Sequence, residues 1–361
     1  MSTDFYNMKS KRIFLIAYYF RPYQGVGSLR PAYWFDLLRS EGVDVTLITA
    51  IPGEDEPGVI RLQVKKRNKL FAILGLDDSF SWGIQVKNYL LDNDLISEQD
   101  TILFTGGPFL QINIVRSLRK KYPLLNIIID YRDPFACNPV FNDIWVKKFL
   151  KYQFEKRYNR NASTVIAVNQ VCNELLVPPF YRSMIIDNGY DERLFGEVNV
   201  EDKDKEEIIY AGKFYLGTHP ERFLNLFCQQ SLKFKYCGSS ELPVYWPELQ
   251  RCGQLPYTEI VNLFKKASVG VLLIYGDPFQ STTKIFDYIG AKLKILIITN
   301  GTLHTGSIQY ITENNPNVEW AKNEAEAIKN ALIRLQTRDY QEWDHQQWSR
   351  YKGYCKLKTI L

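Results

Sequence analysis

Three neighbouring stretches decide how this chain reads: Val269–Tyr275, VGVLLIY; Ser281–Lys292, STTKIFDYIGAK; and Ile295–Ile298, ILII. The first and third are short apolar runs, the pattern of strands covered on both faces. Gly276-Asp277-Pro278 punctuates the first run, and the middle stretch reads as a short helix. Strand, turn, helix, strand is one βαβ unit of a parallel sheet. Ser281, Thr282 and Thr283 offer N-caps, so the helix is expected to begin near Thr283. Lys284 then falls in its first turn and Asp287 three residues on, both on one face. A cation at a helix start matches a phosphate. A carboxylate one turn further matches a sugar or ribose diol, as in dinucleotide-binding folds. An ordinary amphipathic helix with an i,i+3 ion pair accounts for the same residues.

Working outward, the chain repeats this theme. RIFLIAYYF at 12–20 is a buried strand ended by Arg21-Pro22. Gly25 and Gly27 loosen a turn before a helix over about Ser28–Ser40, and VDVTLITA at 43–50 is the next strand. The spacing G-V-G-S-L-R puts Arg30 where the dinucleotide fingerprint needs its third glycine, so NAD is not read here. The paired glycines let a ligand approach the backbone, and Arg30 offers an anion partner; a plain tight turn is the alternative. TILF at 101–104 leads into Thr105-Gly106-Gly107-Pro108 and a helix to about Lys121. A Gly-Gly at the carboxyl end of a parallel strand lies where such folds bind ligands. NIIID at 126–130 leads into Tyr131-Arg132-Asp133-Pro134-Phe135. Pro134 stops the strand, which leaves Arg132 and Asp133 at the same sheet edge. Charges there act in a site more often than in a core, because lone buried charges are costly. A helix over 144–159, a strand over 164–168, a short helix over 169–176 and a strand from Met184 follow.

Residues 196–207, GEVNVEDKDKEE, lack an apolar pattern and read as a linker. Asp202-Lys203-Asp204 has the look of a D-x-D metal motif, but its surroundings read as solvated linker. Beyond it come a strand ending at Gly212-Lys213, a helix at 220–229, a strand at 234–237, an edge strand near 251–255 and a helix at 258–267. After the opening stretch, helices are expected over 325–336 and 344–361. The expected organisation is a first domain at 1–195, the linker 196–207, a second domain at 208–340, and a terminal helix at 341–361 packing back toward the first. Two doubly wound halves leave a cleft, a preferred place for ligands.

Composition agrees with a soluble two-domain protein: 361 residues, 45 % apolar and 24 % charged. A net charge of +5 admits an anionic substrate or a membrane surface and does not imply nucleic acid. RLQVKKRNKLF at 61–71 sets Arg61, Lys65, Lys66, Arg67 and Lys69 beside Leu70 and Phe71. It matches an anionic membrane surface, or simply a solvated face. The 14 % aromatic content leans toward large half-buried surfaces and carbohydrate stacking. Six scattered cysteines without a C-x-x-C pair, and only three histidines, argue against a zinc cluster. With no leader-like apolar region and no apolar run of spanning length, the expectation is a cytoplasmic protein, peripheral at the inner face of the plasma membrane.

In order and spacing, YYFRPYQGVGSLRP, TGGPF, DYRDPF, IIDNGYDERLF, YAGKFY and KIFDYIGAK resemble the family-4-type GT-B glycosyltransferases, most of all the bacterial cell-surface polysaccharide members. The resemblance spans nearly the whole chain. It implies two Rossmann-like domains, a nucleotide-sugar donor in the second and a glycan or lipid-linked glycan acceptor in the first. It further implies retention of anomeric configuration without metal or other cofactor. Asp287 matches the carboxylate that holds the ribose, with Asp where the family usually has Glu. Lys213 matches the base that contacts the diphosphate, and Arg222, in preference to His219, serves as the second. Gly25 and Gly27 match the loop near the donor phosphate. Arg132 stands where many members have His, and Asp133 matches the Asp after it, so these two are the catalytic candidates. Arg30, Gly106 and Gly107 are assigned to the acceptor. Where the family often has another Glu eight residues before Asp287, this chain has Phe279, with Gln280 one position off as the donor-sugar contact. Lys292 and Lys294 replace the family's Gly and Pro after the helix. A nucleotide-sugar epimerase on the same fold and a non-catalytic carbohydrate-binding module are the alternatives.

Overall fold

The computed structural model describes residues 11–64, 77–139, 143–214, 219–229, 232–240, 249–275 and 282–361. They divide into two compact units, Met1–Asp187 with Tyr354–Leu361, and Asn188–Gly353.

The first unit holds β1 (Ile13–Ala17), β2 (Val45–Thr49), β3 (Val59–Arg61), β4 (Thr101–Thr105), β5 (Asn126–Tyr131), β6 (Thr164–Ala167) and β7 (Ser183–Ile185). They form one sheet in the order β3-β2-β1-β4-β5-β6-β7, and every pairing is parallel. Both faces are covered, which is why the strands read as apolar runs without alternation. Along β1 and β4, Phe14, Ile16, Ile102 and Phe104 point to a core shared with Trp82, Val86 and Leu90 of the helix Asp78–Asp92. The intervening Ile13, Leu15 and Leu103 join Trp34, Phe35 and Leu38 of the helix Val26–Ser40 on the other face. Tyr354 and Leu357, from the helix Arg350–Lys358, are buried in that second core. Truncating a residue as central as Phe104 to Ala would cost about 3–5 kcal/mol.

The second unit holds β8 (Asp204–Ala211), β9 (Phe234–Cys237), β10 (Leu249–Gly253), β11 (Ala267–Ile274), β12 (Lys294–Thr299) and β13 (Val318–Lys322). The order is β10-β9-β8-β11-β12-β13, again all parallel. Alternate residues again serve two cores. Ile209, Leu272 and Ile297 meet Phe264, Ile285 and Ile289, while Tyr210, Val271 and Leu296 meet Phe223, Phe227 and Leu332.

Two doubly wound parallel sheets are the architecture the sequence led us to expect. Elements without a sequence signal strong enough to name include β3 and β13, at three and five residues, and the helices Asp78–Asp92, Glu192–Phe195 and Gly306–Thr312. Residues 196–207 are more than a charged connector. They hold a 3-10 turn at Val200–Asp202 and the start of β8, and Lys203 is buried there. Its Nζ donates to the carbonyls of Phe264 (3.2 Å), Lys265 (3.1 Å) and Ala267 (3.0 Å), closing the end of the helix Tyr257–Lys266. Burial pulls the Lys203 amine down to about 7, and the charge of Lys292 adds to the fall. The terminal helix is shorter than the expected 344–361, at Arg350–Lys358, because a 3-10 turn at Gln346–Trp348 precedes it.

Candidate functional site

In an open parallel sheet, ligands bind beyond the carboxyl ends of the strands where the strand order reverses. The second unit reverses between β8 and β11. Gly212 follows β8 with φ +125, a conformation that side chains rarely adopt. Its N–H donates to Cys237 O at 2.8 Å. The Lys284 side chain lies across it: a Cβ on Gly212 would stand 2.6 Å from Lys284 Nζ. That amine donates to Tyr210 Oη at 3.1 Å and sits 4.5 Å from the Tyr210 ring centroid. Tyr210 Oη in turn donates to Lys213 O at 2.9 Å. Among the described residues no carboxylate pairs with Lys284. Burial lowers its amine to about 8. A cation whose company, among the described residues, is a phenol and a ring is poorly compensated and gains from an anionic ligand.

Beside this amine, three rings and a serine are knit together. Tyr210, Phe214 and Tyr236 stack with centroid spacings of 4.6 and 4.9 Å. Phe214 N donates to Ser240 Oγ, and Ser240 N to Tyr236 Oη, each at 3.0 Å. Lys213, held between Gly212 and this stack, is exposed.

Asp287 lies on the same short helix, Lys284–Gly290, and is buried. Tyr257 Oη donates to its Oδ1 at 2.6 Å. Burial raises the carboxyl to about 6, while the Tyr257 hydrogen bond and the charge of Arg350 oppose the rise. Arg350 is itself fixed, donating from Nε to Gly189 O at 2.8 Å and standing 3.5 Å from Asp191 Oδ2. Lys284 and Asp287 therefore do not form the i,i+3 ion pair of an ordinary surface helix; each has its own tyrosine. The expected Thr283 cap is absent, since Thr283 has helical φ and ψ and its side chain accepts no capping hydrogen bond. Arg222 is exposed in the first turn of the helix Pro220–Gln229, which follows the β8 edge. His219 is engaged with Glu221, at 3.1 Å from Nδ1 to Oε1. Gln280 lies outside the described residues, as do Lys65, Lys66, Arg67 and Lys69.

The first unit reverses between β1 and β4. Here the cations are bound to the protein itself. Arg132, half-buried beyond β5, donates to Gly27 O and Val26 O, each at 2.9 Å. Gly106, at φ +72, makes room for it; a Cβ there would lie 3.2 Å from Arg132 Cδ. Gly107 follows, half-buried. Arg30, expected as an acceptor anion partner, meets groups of the protein. It is buried, with NH2 3.0 Å from Asp130 Oδ1, NH1 donating to Ile186 O at 2.9 Å, and the guanidinium over Trp34. Arg61, expected on a membrane-facing stretch, likewise donates to Glu54 O, Arg21 O and Ile51 O, each at 3.0 Å. Gly25 and Gly27, expected to expose backbone to a ligand, are covered by aromatic rings. A Cβ on Gly25 would lie 2.6 Å from Tyr23 Cζ, and one on Gly27 3.1 Å from Tyr19 Cδ2. Tyr19 and Tyr23 stack at 4.6 Å. Asp133 is accessible at this edge, yet the surrounding protein raises its carboxyl by desolvation, with Arg132 pulling the other way.

Sequence reasoning did not single out Tyr19, Tyr23, Tyr210, Tyr257 or Arg350. The one available signal was the high aromatic content, which carries no position. Among the described residues, no group of three or more His, Cys, Asp or Glu side chains gathers in one place.

No protein-family model matches this chain, and no curated protein sequence matches it. Solved structures do. Sucrose-phosphate synthase from Thermosynechococcus elongatus superposes with a TM-score of 0.65 at 17 % identity, over 97 % of this chain and 94 % of that one. The Anabaena protein HepE, in complex with UDP and glucose, gives a TM-score of 0.64 at 9 % identity, over 97 % and 98 % of the two chains. UDP-GlcNAc 2-epimerase from Methanocaldococcus jannaschii gives 0.60 at 10 % identity, over 98 % and 99 %. At such identities the likeness is one of fold, and that fold is GT-B.

Proposed function

We propose that this chain is a glycosyltransferase. It takes a sugar from a nucleotide-sugar donor and places it on a glycan or lipid-linked glycan acceptor in surface polysaccharide synthesis. The observation that carries this reading is the Lys284 amine, which lies over Gly212 at the β8–β11 switch point and has no carboxylate partner among the described residues. A diphosphate there gains a charge-assisted hydrogen bond in a desolvated setting. Lys213 and Arg222, both exposed at or after the same strand edge, add to the positive field on the leaving diphosphate. That charge stabilisation is assigned to side-chain cations, with no metal ion required. Asp287 binds ribose hydroxyls through the oxygen that Tyr257 does not occupy.

In the first unit, the Tyr19–Tyr23 stack offers an aromatic face to an acceptor sugar ring. Asp133 orients the acceptor hydroxyl. In the retaining reaction the sugar's bond to the diphosphate breaks, the acceptor oxygen bonds to the same face, and the departing phosphate oxygen takes the acceptor proton. Arg132 holds the glycine loop beside Asp133 and acts as a positioning residue.

Calorimetry with UDP, GDP, ADP and CMP tests the donor half, and a nucleotide-sugar screen with product analysis tests transfer. No binding of any nucleotide would sink the reading and favour a non-catalytic carbohydrate-binding module. The fold likeness to an epimerase keeps one rival specific. Conversion of the donor sugar to its epimer without acceptor would establish that rival instead.

A further inference from the structure

The helix Trp145–Asn159 is anchored at one end only. Among its residues, those buried are Glu155, Tyr158 and Asn159, all in the last turns. There Glu155 accepts the N–H groups of Ala136 (2.7 Å) and Val177 (2.8 Å). Asn159 accepts from Tyr131 Oη at 2.9 Å and donates to Val177 O at 2.7 Å. The first two turns contribute no buried side chain, although they carry most of the helix's apolar residues. Ile144 is 71 % exposed, Trp145 80 %, Phe149 56 % and Leu150 45 %. A helix this short has little stability of its own in water, so an apolar face left uncovered on it needs an occupant.

The charges say which. Trp145 and Phe149 share a stripe at i,i+4 spacing, as do Val146 and Leu150, and these two rows adjoin. Seven residues further, two turns on, the same rows continue into Lys156 and Arg157. Lys148 flanks the apolar part and is exposed. Asp143 neutralises Lys147, at 2.8 Å, and also pairs with Lys151, but no carboxylate among the described residues pairs with Lys148 or Arg157. An outer face of tryptophan, phenylalanine and leucine flanked by uncompensated cations is complementary to an anionic bilayer: apolar below, phosphate above. Among the described residues no helix is long and apolar enough to cross a membrane.

Its placement agrees. The chain leaves β5 at Tyr131, passes Arg132 and Asp133, and enters the helix at Trp145. Lys151 stands 5.6 Å from the ring of Phe135, which packs on Phe109 at 5.3 Å, at the same strand end. The helix is thus tied through Lys151 to Phe135, two residues beyond Asp133.

We propose that Ile144 and the first two turns of this helix dock on the anionic face of a lipid bilayer. Trp145, Phe149 and Leu150 enter the interface, and Lys148, Lys156 and Arg157 meet the lipid phosphates. The inference rests on this surface alone and does not depend on the donor reading. The test is co-sedimentation of the full chain with vesicles of phosphatidylcholine, and with vesicles of equal parts phosphatidylcholine and phosphatidylglycerol. Binding is expected to be about tenfold tighter to the mixed vesicles and to weaken with added salt. The paired exposed-site changes Trp145→Ser and Phe149→Ser should weaken it about tenfold, without shifting the thermal midpoint. Lys156→Glu with Arg157→Glu should abolish the preference for phosphatidylglycerol and serves as the second variant if the first fails to fold. Failure to bind the mixed vesicles, equal binding to both compositions, or binding untouched by both variants would overturn the proposal. So would a dimer, seen by sedimentation velocity without vesicles, that the Trp145 and Phe149 changes dissociate, since the occupant would then be a second copy.

Discussion

The edge beyond β1 and β4 and the edge beyond β8 and β11 are topologically alike, yet they use their cations in opposite ways. In the first, Arg132 and Arg30 are bound to backbone carbonyls and to Asp130. In the second, Lys284 has a tyrosine hydroxyl and a ring face and is held by desolvation near neutrality. A guanidinium with planar donors is well matched to clamping carbonyls, while an ammonium on a flexible stem can meet an incoming anion. The lesson is that a basic residue at a strand end does not mark an anion site by position alone. What marks it is the absence, among the described residues, of a carboxylate or carbonyl partner.

The comparison can be broken or sharpened by experiment. The widest expected effect belongs to the first edge and to turnover: Asp133→Ala should lower it about 100- to 10,000-fold with nucleotide affinity unchanged. Turnover near wild type would remove Asp133 from the reaction. Next is Lys284→Ala, which should weaken UDP binding roughly 10- to 100-fold by calorimetry, the range of one charge-assisted hydrogen bond. Arg132→Ala should leave UDP affinity within about twofold and instead lower folding stability by about 1–3 kcal/mol in urea titration, because two carbonyls lose their donor. Equal losses of UDP affinity in the two variants would erase the distinction drawn between the edges.

Gly212→Ala should cost about tenfold in UDP affinity, since a Cβ at φ +125 is strained and displaces the Lys284 amine. Gly106→Ala, its counterpart at the other edge, should reduce stability by about 1–2 kcal/mol and leave UDP affinity alone. The pH dependence follows from sign. Lys284, lowered to about 8, is charged below that pH and neutral above it. UDP affinity in the wild type should therefore be flat from pH 6.5 to 7.5 and fall above 8 toward a plateau about 10- to 100-fold weaker, the affinity left when that charge is lost. The Lys284→Ala protein should lack that step. Affinity that rises through the same range would show that another group controls binding.

Much of the fold was legible because parallel strands buried on both faces leave an apolar run that no other element of similar length mimics. VGVLLIY and ILII read as strands for that reason, and they pair in register as β11 and β12. The positions of Lys284 and Asp287 were legible too, since i,i+3 spacing is a local property of one helix. Their partners were not. Tyr257 lies 30 residues before Asp287, and Tyr210 lies 74 residues before Lys284. The fate of Arg30 was equally hidden, because its acceptor at Ile186 is 156 residues away.

The stretch Val269–Ile298, by itself, determined that this protein contains a parallel βαβ unit with a cation and a carboxylate on its helix. Hydrophobic periodicity and punctuation are written in adjacent residues, and that is enough to fix element type. Only the tertiary structure decided which cations stay available. Whether Lys284, Arg30 or Arg132 meets a ligand depends on which distant carbonyl or carboxylate the packed chain brings within about 3 Å. The same holds for Trp145 and Phe149, whose types forecast burial and which the fold leaves facing outward.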